Sequence, residues 1–178
     1  MPSDEEFFRR FRFADADLAE VQAEIAADRA VVAAAGPESS SADLLEALIG
    51  LGENLIPLDR EAEAAGHLAA ALTLARELGD QDQEIGALLH LATARQYLGE
   101  RDAAQQLFQA GLEVSAAAGI DVHRHFLLHH RGRCYAEQGQ IAAARDCFEQ
   151  ALALRQLGYP RFVASSRGAL AALDGLAS

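Results

Sequence analysis

Residues 128–151 read LHHRGRCYAEQGQIAAARDCFEQA, and the alternation of small and large residues in that stretch decides the fold. Leu128, Gly132, Tyr135, Gly139, Ala144, Phe148 and Ala151 follow one another at steps of 4, 3, 4, 5, 4 and 3. Forty residues earlier stand Leu88, Ala92, Gly99, Ala104, Phe108 and Gly111. Forty before those stand Leu48, Gly52, Asp59, Ala64, Leu68 and Ala71. A seventh column holds Leu72, Leu112 and Leu152. Three copies in one register mark an internal repeat.

Each copy divides into two apolar-periodic halves. The first halves are predicted as helices at about 43–55, 84–98 and 124–138, the second at about 61–78, 102–118 and 141–157. Gly99 and Gly139 are the turns within a pair, and Gly79, Gly119 and Gly158 are predicted left-handed C-caps of the second helices. The small columns let two helix backbones approach. The large residue at 68, 108 or 148 fills the space beside the contact. One pair cannot bury its apolar face alone, so the pairs must stack into a solenoid.

Composition agrees. The 178 residues include 39 Ala and 25 Leu, with three Tyr and no Trp, a mix that favours helices over a sheet. All 15 basic residues are Arg, so P-loop lysine and Schiff-base chemistry are excluded. The net charge of -12 argues against nucleic acid and anionic lipid as partners. It is graded: -5 over residues 1–40, -6 over 41–80, -3 over 81–120, then +1 over 121–160 and +1 over 161–178. Sequence order is spatial order in a solenoid, so one end is acidic and the other mildly basic. That polarity would orient a bipolar peptide or steer end-to-end self-association. The acidic N-terminus lacks an apolar signal region, and no apolar run is long enough to span a bilayer. Cys134 and Cys147 are expected as buried thiols in a reducing cytoplasm.

The quoted residues resemble the tetratricopeptide repeat (TPR) family. The third copy carries its pattern in full. The second has Arg95 at the tyrosine position, and the first has Leu55 there, with Asp59 for the turn glycine and Leu68 for the phenylalanine. A period of 40 resembles the longer-helix variety seen in bacterial regulators and kinesin light chains. The resemblance implies an all-α, right-handed solenoid of three helix–turn–helix repeats, about 41–80, 81–120 and 121–160, covering residues 43–158. It implies a cytoplasmic scaffold that binds a protein or peptide in a concave groove, with no catalysis and no cofactor. The alternative is the ligand- or peptide-sensing part of a bacterial regulator whose effector lies elsewhere. Carried over by position, the groove presents Glu46, Ile49, Glu53 and Ile56, then Gly86, Leu89, Thr93, Gln96 and Tyr97, then Phe126, His129, Arg133 and Glu137. The family's clamp for a terminal carboxylate needs Lys and Asn where this chain has Ile49, Glu53, Leu89 and Thr93. An amphipathic helix or extended peptide suits the mixed lining better.

Residues 1–36 hold a Phe/Arg segment (Phe7, Phe8, Phe11 and Phe13 among Arg9, Arg10 and Arg12) and a capping helix over 14–35. The segment suits packing on its own domain, a dimer contact or an arm in the groove. Gly36 to Ser41 is the linker, with Ser41 or Asp43 as the next N-cap. Residues 161–178 form a C-terminal capping helix with Val163, Leu170 and Leu173 inward. Four histidines, His123, His125, His129 and His130, cluster at the third repeat. His125 and His129 have the i, i+4 spacing of metal ligands. The favoured expectation is that they are polar surface residues charging near pH 6. No Gly-x-Ser-x-Gly elbow or nucleophile–base set occurs.

Overall fold

The computed structural model describes residues 17–36 and 39–176. The Phe7–Phe13 segment and linker residues 37 and 38 lie outside them. Eight α-helices follow in chain order, with no strand among the described residues: α1 Leu18–Ala34, α2 Ser41–Leu55, α3 Glu61–Leu78, α4 Gln81–Tyr97, α5 Arg101–Ala118, α6 Arg124–Glu137, α7 Ile141–Gly158 and α8 Val163–Leu176. One-turn 3₁₀ helices at Ile56–Leu58 and Pro160–Phe162 precede α3 and α8.

Each helix packs on the next, so the chain is an all-α solenoid of three pairs, α2–α3, α4–α5 and α6–α7, flanked by single helices. The small-against-large columns hold at the crossings. A Cβ built on Gly52 would lie 2.3 Å from Leu68 Cδ2, and one on Gly132 would lie 2.9 Å from Phe148 Cε1. The second pair replaces glycine by the fully buried Ala92, in one cluster with Phe108. Gly111 does the same between pairs, because its Cβ would meet Leu127 Cδ2 at 2.8 Å. Leu68, Phe108 and Phe148 are each sealed from solvent, which stabilises the fold by about 1.5–3 kcal/mol per side chain.

The turns follow glycine chemistry with one substitution. Gly79, Gly99, Gly119 and Gly139 all have positive φ, and Asp59, which stands in the Gly99/Gly139 column, takes φ 60°, the left-handed region, without being glycine. Two boundary expectations need correcting. Gly158 is not a left-handed cap. It remains helical, and Tyr159 ends α7 at φ -134°. Pro160 is the cause, since its ring pushes the preceding residue toward extended backbone. The N-cap of α2 is neither Ser41 nor Asp43 but Ser40, whose Oγ accepts from the Asp43 N–H at 3.3 Å. Asp80 caps α4 in the same way, accepting from Gln83 N–H at 3.1 Å.

A single helix packs on each outer pair. α1 packs on α2, burying Val21 and Ile25, and Asp28 lies against Gly50. Its Arg29 joins Arg60 around Glu63. α8 packs mainly on α7, burying Ser166, Ala169 and Leu173, while Arg145 pairs with Asp174 at 2.6 Å. No helix among the described residues is long and apolar enough to cross a membrane.

Candidate functional site

The first helices of successive pairs touch one another: α2 meets α4, α4 meets α6, and α6 meets α8. The second helices form no comparable row, so the row of first helices is the inner wall of the solenoid. Polar rungs link its members. His90 Nε2 of α4 lies 2.8 Å from Glu53 Oε1 of α2. That hydrogen bond holds the Glu53 carboxyl below its ordinary range, although burial opposes it. His123 reaches Asp82 at 3.4 Å. Gln96 Nε2 donates to Glu137 Oε1 at 2.8 Å, and Arg101 Nε donates to Glu137 Oε2 at 3.0 Å. The Arg133 guanidinium sits 5.5 Å from the Tyr97 ring centre.

The expected groove residues therefore divide. Glu46 and Glu53 are exposed, and Tyr97, Phe126, His129 and Glu137 are half-buried. Ile49, Ile56, Gly86, Leu89, Thr93, Gln96 and Arg133 are buried at helix contacts, with the Thr93 hydroxyl donating to the Leu89 carbonyl at 2.9 Å.

The histidine cluster is not the charged surface patch expected from its polarity. His125 is fully buried and His129 and His130 are half-buried. Burial, and then the Arg155 charge, drives His125 down to about 4. His129 is held well below its ordinary value by burial and by Arg155, and His130 by burial and by Arg133. All three are neutral at pH 7.

The organising residue is Arg155 of α7, which sequence reading missed. It is 2% exposed. Its Nε donates to His125 Nδ1 at 3.3 Å. Its Nη1 reaches His129 Nδ1 at 3.1 Å, Ser165 Oγ at 2.9 Å, Ser166 Oγ at 2.8 Å and the Phe162 carbonyl at 3.3 Å. An arginine can only donate, so both imidazoles must accept at Nδ1 and carry their proton on Nε2. Tyr159 packs on His125 with ring centres 4.0 Å apart, and the Phe126 and Phe162 rings flank the guanidinium at 5.9 and 5.5 Å.

The signal for this cluster lies in columns beside those that define the repeat. Leu45, Ile85 and His125 are one column, Ile49, Leu89 and His129 a second, and Ala75, Ser115 and Arg155 a third. Positions filled by apolar or small residues in the first two repeats hold a cation and two imidazoles in the last. The metal-site alternative meets the same residue, because the Nδ1 atoms of His125 and His129 both face a guanidinium. Among the described residues, no group of three or more His, Cys, Asp or Glu is placed to hold a metal ion.

Both cysteines are free and buried. Burial, the largest influence, pushes the Cys134 thiol up to about 11 and raises that of Cys147.

Residues 125–156 match the tetratricopeptide repeat family. No curated protein matches the sequence. Among solved structures the chain is similar to BtubC (BKLC) from P. vanneervenii, at 20% identity over 89% of this chain and 65% of that one, with a TM-score of 0.67. It therefore spans just under two thirds of that protein's length. It is also similar to a kinesin light chain-like protein of Podosopora anserina with nearly identical TPR-like repeats. One structure of that protein gives 19% identity over 90% of this chain and 82% of the other, with a TM-score of 0.66. A point variant gives 18% over 90% and 81%, with a TM-score of 0.69. At such identities the likeness is one of fold. Residues 125–156 are a tetratricopeptide repeat, and the chain has a TPR-like repeat fold.

Proposed function

We propose that this tetratricopeptide-repeat chain is a protein-interaction scaffold whose partner lies along the α2–α4–α6 wall. The observation that carries the reading is the exposed pair Glu46 and Glu53 on one helix of that wall, in the most acidic repeat. A partner segment with basic residues over α2 and apolar residues toward the half-buried Tyr97 and Phe126 fits that order. The working setting is a reducing cytoplasm, in keeping with two free buried thiols.

The test compares capture from the source cell by the wild type, by Glu46→Arg/Glu53→Arg and by Glu113→Arg on the second-helix side. Glu113 is exposed on α5, away from the first-helix row. The reading expects a partner retained by the wild type and by Glu113→Arg but lost by the double variant. A partner retained equally by all three overturns it.

A further inference from the structure

We propose that Arg155 and the N-terminus of α8 together form a binding site for a small carboxylate, with its apolar body against Tyr159, Phe126 and Phe162. Every partner of the guanidinium is neutral: two imidazole nitrogens, two serine hydroxyls and one carbonyl. None of the described carboxylates pairs with it. Burying a cation without an anion is costly, and the first two repeats avoid that cost with Ala75 and Ser115. The guanidinium has five N–H donors, and its Nη2 donates to none of the described residues.

A second observation points to the same place. Ser165 and Ser166, which hold Nη1, stand in the first turn of α8, and Phe162, whose carbonyl also holds it, immediately precedes the helix. This helix is 14 residues long and has no acidic residue in its first turn. It continues from the 3₁₀ turn, with the Val163 N–H on the Pro160 carbonyl, and the positive end of the helix dipole lies at this start, so a full cation and a partial positive charge are held side by side. Arg161, stacked 4.6 Å from the Phe162 ring centre, adds to the field. One anion would relieve all three. Burial lowers Arg155 only to about 10, which leaves it charged at neutral pH.

The charge count selects the ligand. Arg161 is exposed to solvent, so the enclosed charge is one guanidinium and one helix end, which match a monoanion better than a phosphate dianion. A planar carboxylate offers one oxygen to Nη2 and turns the other toward the positive end of α8. The half-buried Tyr159, Phe126 and Phe162 rings favour an aromatic or branched acid over acetate. This inference does not depend on the α2–α4–α6 wall, and Glu46→Arg/Glu53→Arg should leave it unchanged.

The experiment titrates the full chain with benzoate at constant ionic strength, following arginine side-chain Nε–H signals by NMR. Benzamide serves as the uncharged isostere and inorganic phosphate as the tetrahedral anion. The proposal expects a saturable shift of the Arg155 Nε–H with benzoate and no saturable shift with benzamide. Phosphate should bind at least about tenfold more weakly, which is about 1.4 kcal/mol. Arg155→Gln should abolish benzoate binding measured by thermal shift or calorimetry. Should that variant not fold, the wild-type comparison of the three probes still decides. No saturable shift up to tens of millimolar benzoate, an equal response to benzamide or phosphate, or binding that survives Arg155→Gln overturns the proposal.

Discussion

Arg155 Nε donates to His125 Nδ1 at 3.3 Å inside the last helix junction, and that bond fixes the protonation of both residues. The arginine cannot accept, so the imidazole must be neutral to receive the hydrogen. His129 makes the same concession to Nη1. A buried cation is thus solvated by two imidazoles that any added proton would turn against it.

Stability should therefore fall on mild acidification. His125 titrates near 6.5 when unfolded and at about 4 when folded. A depressed histidine is stabilising above the unfolded value, and that contribution is lost as pH drops below it, because the unfolded chain binds the extra proton. Between about pH 7.5 and pH 5.5 His125 alone should remove roughly 1 kcal/mol, and His129 and His130 act in the same direction. Denaturant midpoints measured across this range test the sign. A midpoint that rises toward pH 5.5 contradicts the neutral cluster.

Restoring the second repeat's residues should remove the cost and the His125 and His129 share of the pH dependence, leaving that of His130. The replacement is His125→Ile, His129→Leu and Arg155→Ser, after Ile85, Leu89 and Ser115, with Ser166→Ala so that no hydroxyl is stranded. In the second repeat Ser115 Oγ donates to the Ile120 carbonyl at 2.6 Å. Exchanging a buried ionic cluster for packed apolar residues is often stabilising by about 1–4 kcal/mol. Thermal melts at two pH values check it. A less stable variant would mean that the polar cluster contributes net stability.

The repeat is written in residues that recur along the chain, and the Arg155 cluster is not. Gly132 against Phe148, and Gly52 against Leu68, are packing constraints that recur with the repeat, so a fixed step of 40 exposes them. The cluster is a departure from the repeat. His125 looks polar as a residue type, yet it occupies a core position because Ile85 and Leu45 do in the earlier copies. Arg155 carried no motif at all, and its role depends on α8, a helix outside the repeats. Gly158 failed for a local reason, since glycine there does not need the left-handed region when Pro160 controls the turn. The groove positions show the same gap, because Gln96 and Arg133 are drawn into contacts with neighbouring helices that their polarity does not reveal.

Two glycine-to-alanine changes should have opposite signs. Gly66 lies inside α3 with nothing within 4 Å of its Cβ position, so Gly66→Ala should stabilise by about 0.5–1 kcal/mol through helix propensity. Gly52→Ala gains the same propensity but drives its methyl to 2.3 Å from Leu68. Overpacking of that kind costs about 1–3 kcal/mol, which outweighs the gain. Equal effects of the two changes in chemical denaturation would discard the close crossing of α2 and α3.

The cysteines report on opening of the third repeat. Cys134 is sealed on α6 and its thiol, pushed up to about 11 by burial, is almost entirely protonated at pH 8. Cys147 on α7 is nearly as deep and is shifted in the same direction. Both should therefore resist alkylation in the native state and react only through opening of the α6–α7 pair. Labelling followed by mass spectrometry should show the two modified together, at a rate that rises with denaturant in step with unfolding. The acid-sensitive cluster borders the same pair, so acidification to about pH 5.5 should raise the open population even as it lowers the thiolate fraction. Pulse labelling with a pH-insensitive thiol reagent separates the two effects. Fast labelling of either cysteine in native buffer at pH 8 would show that the α6–α7 interface is not closed as described.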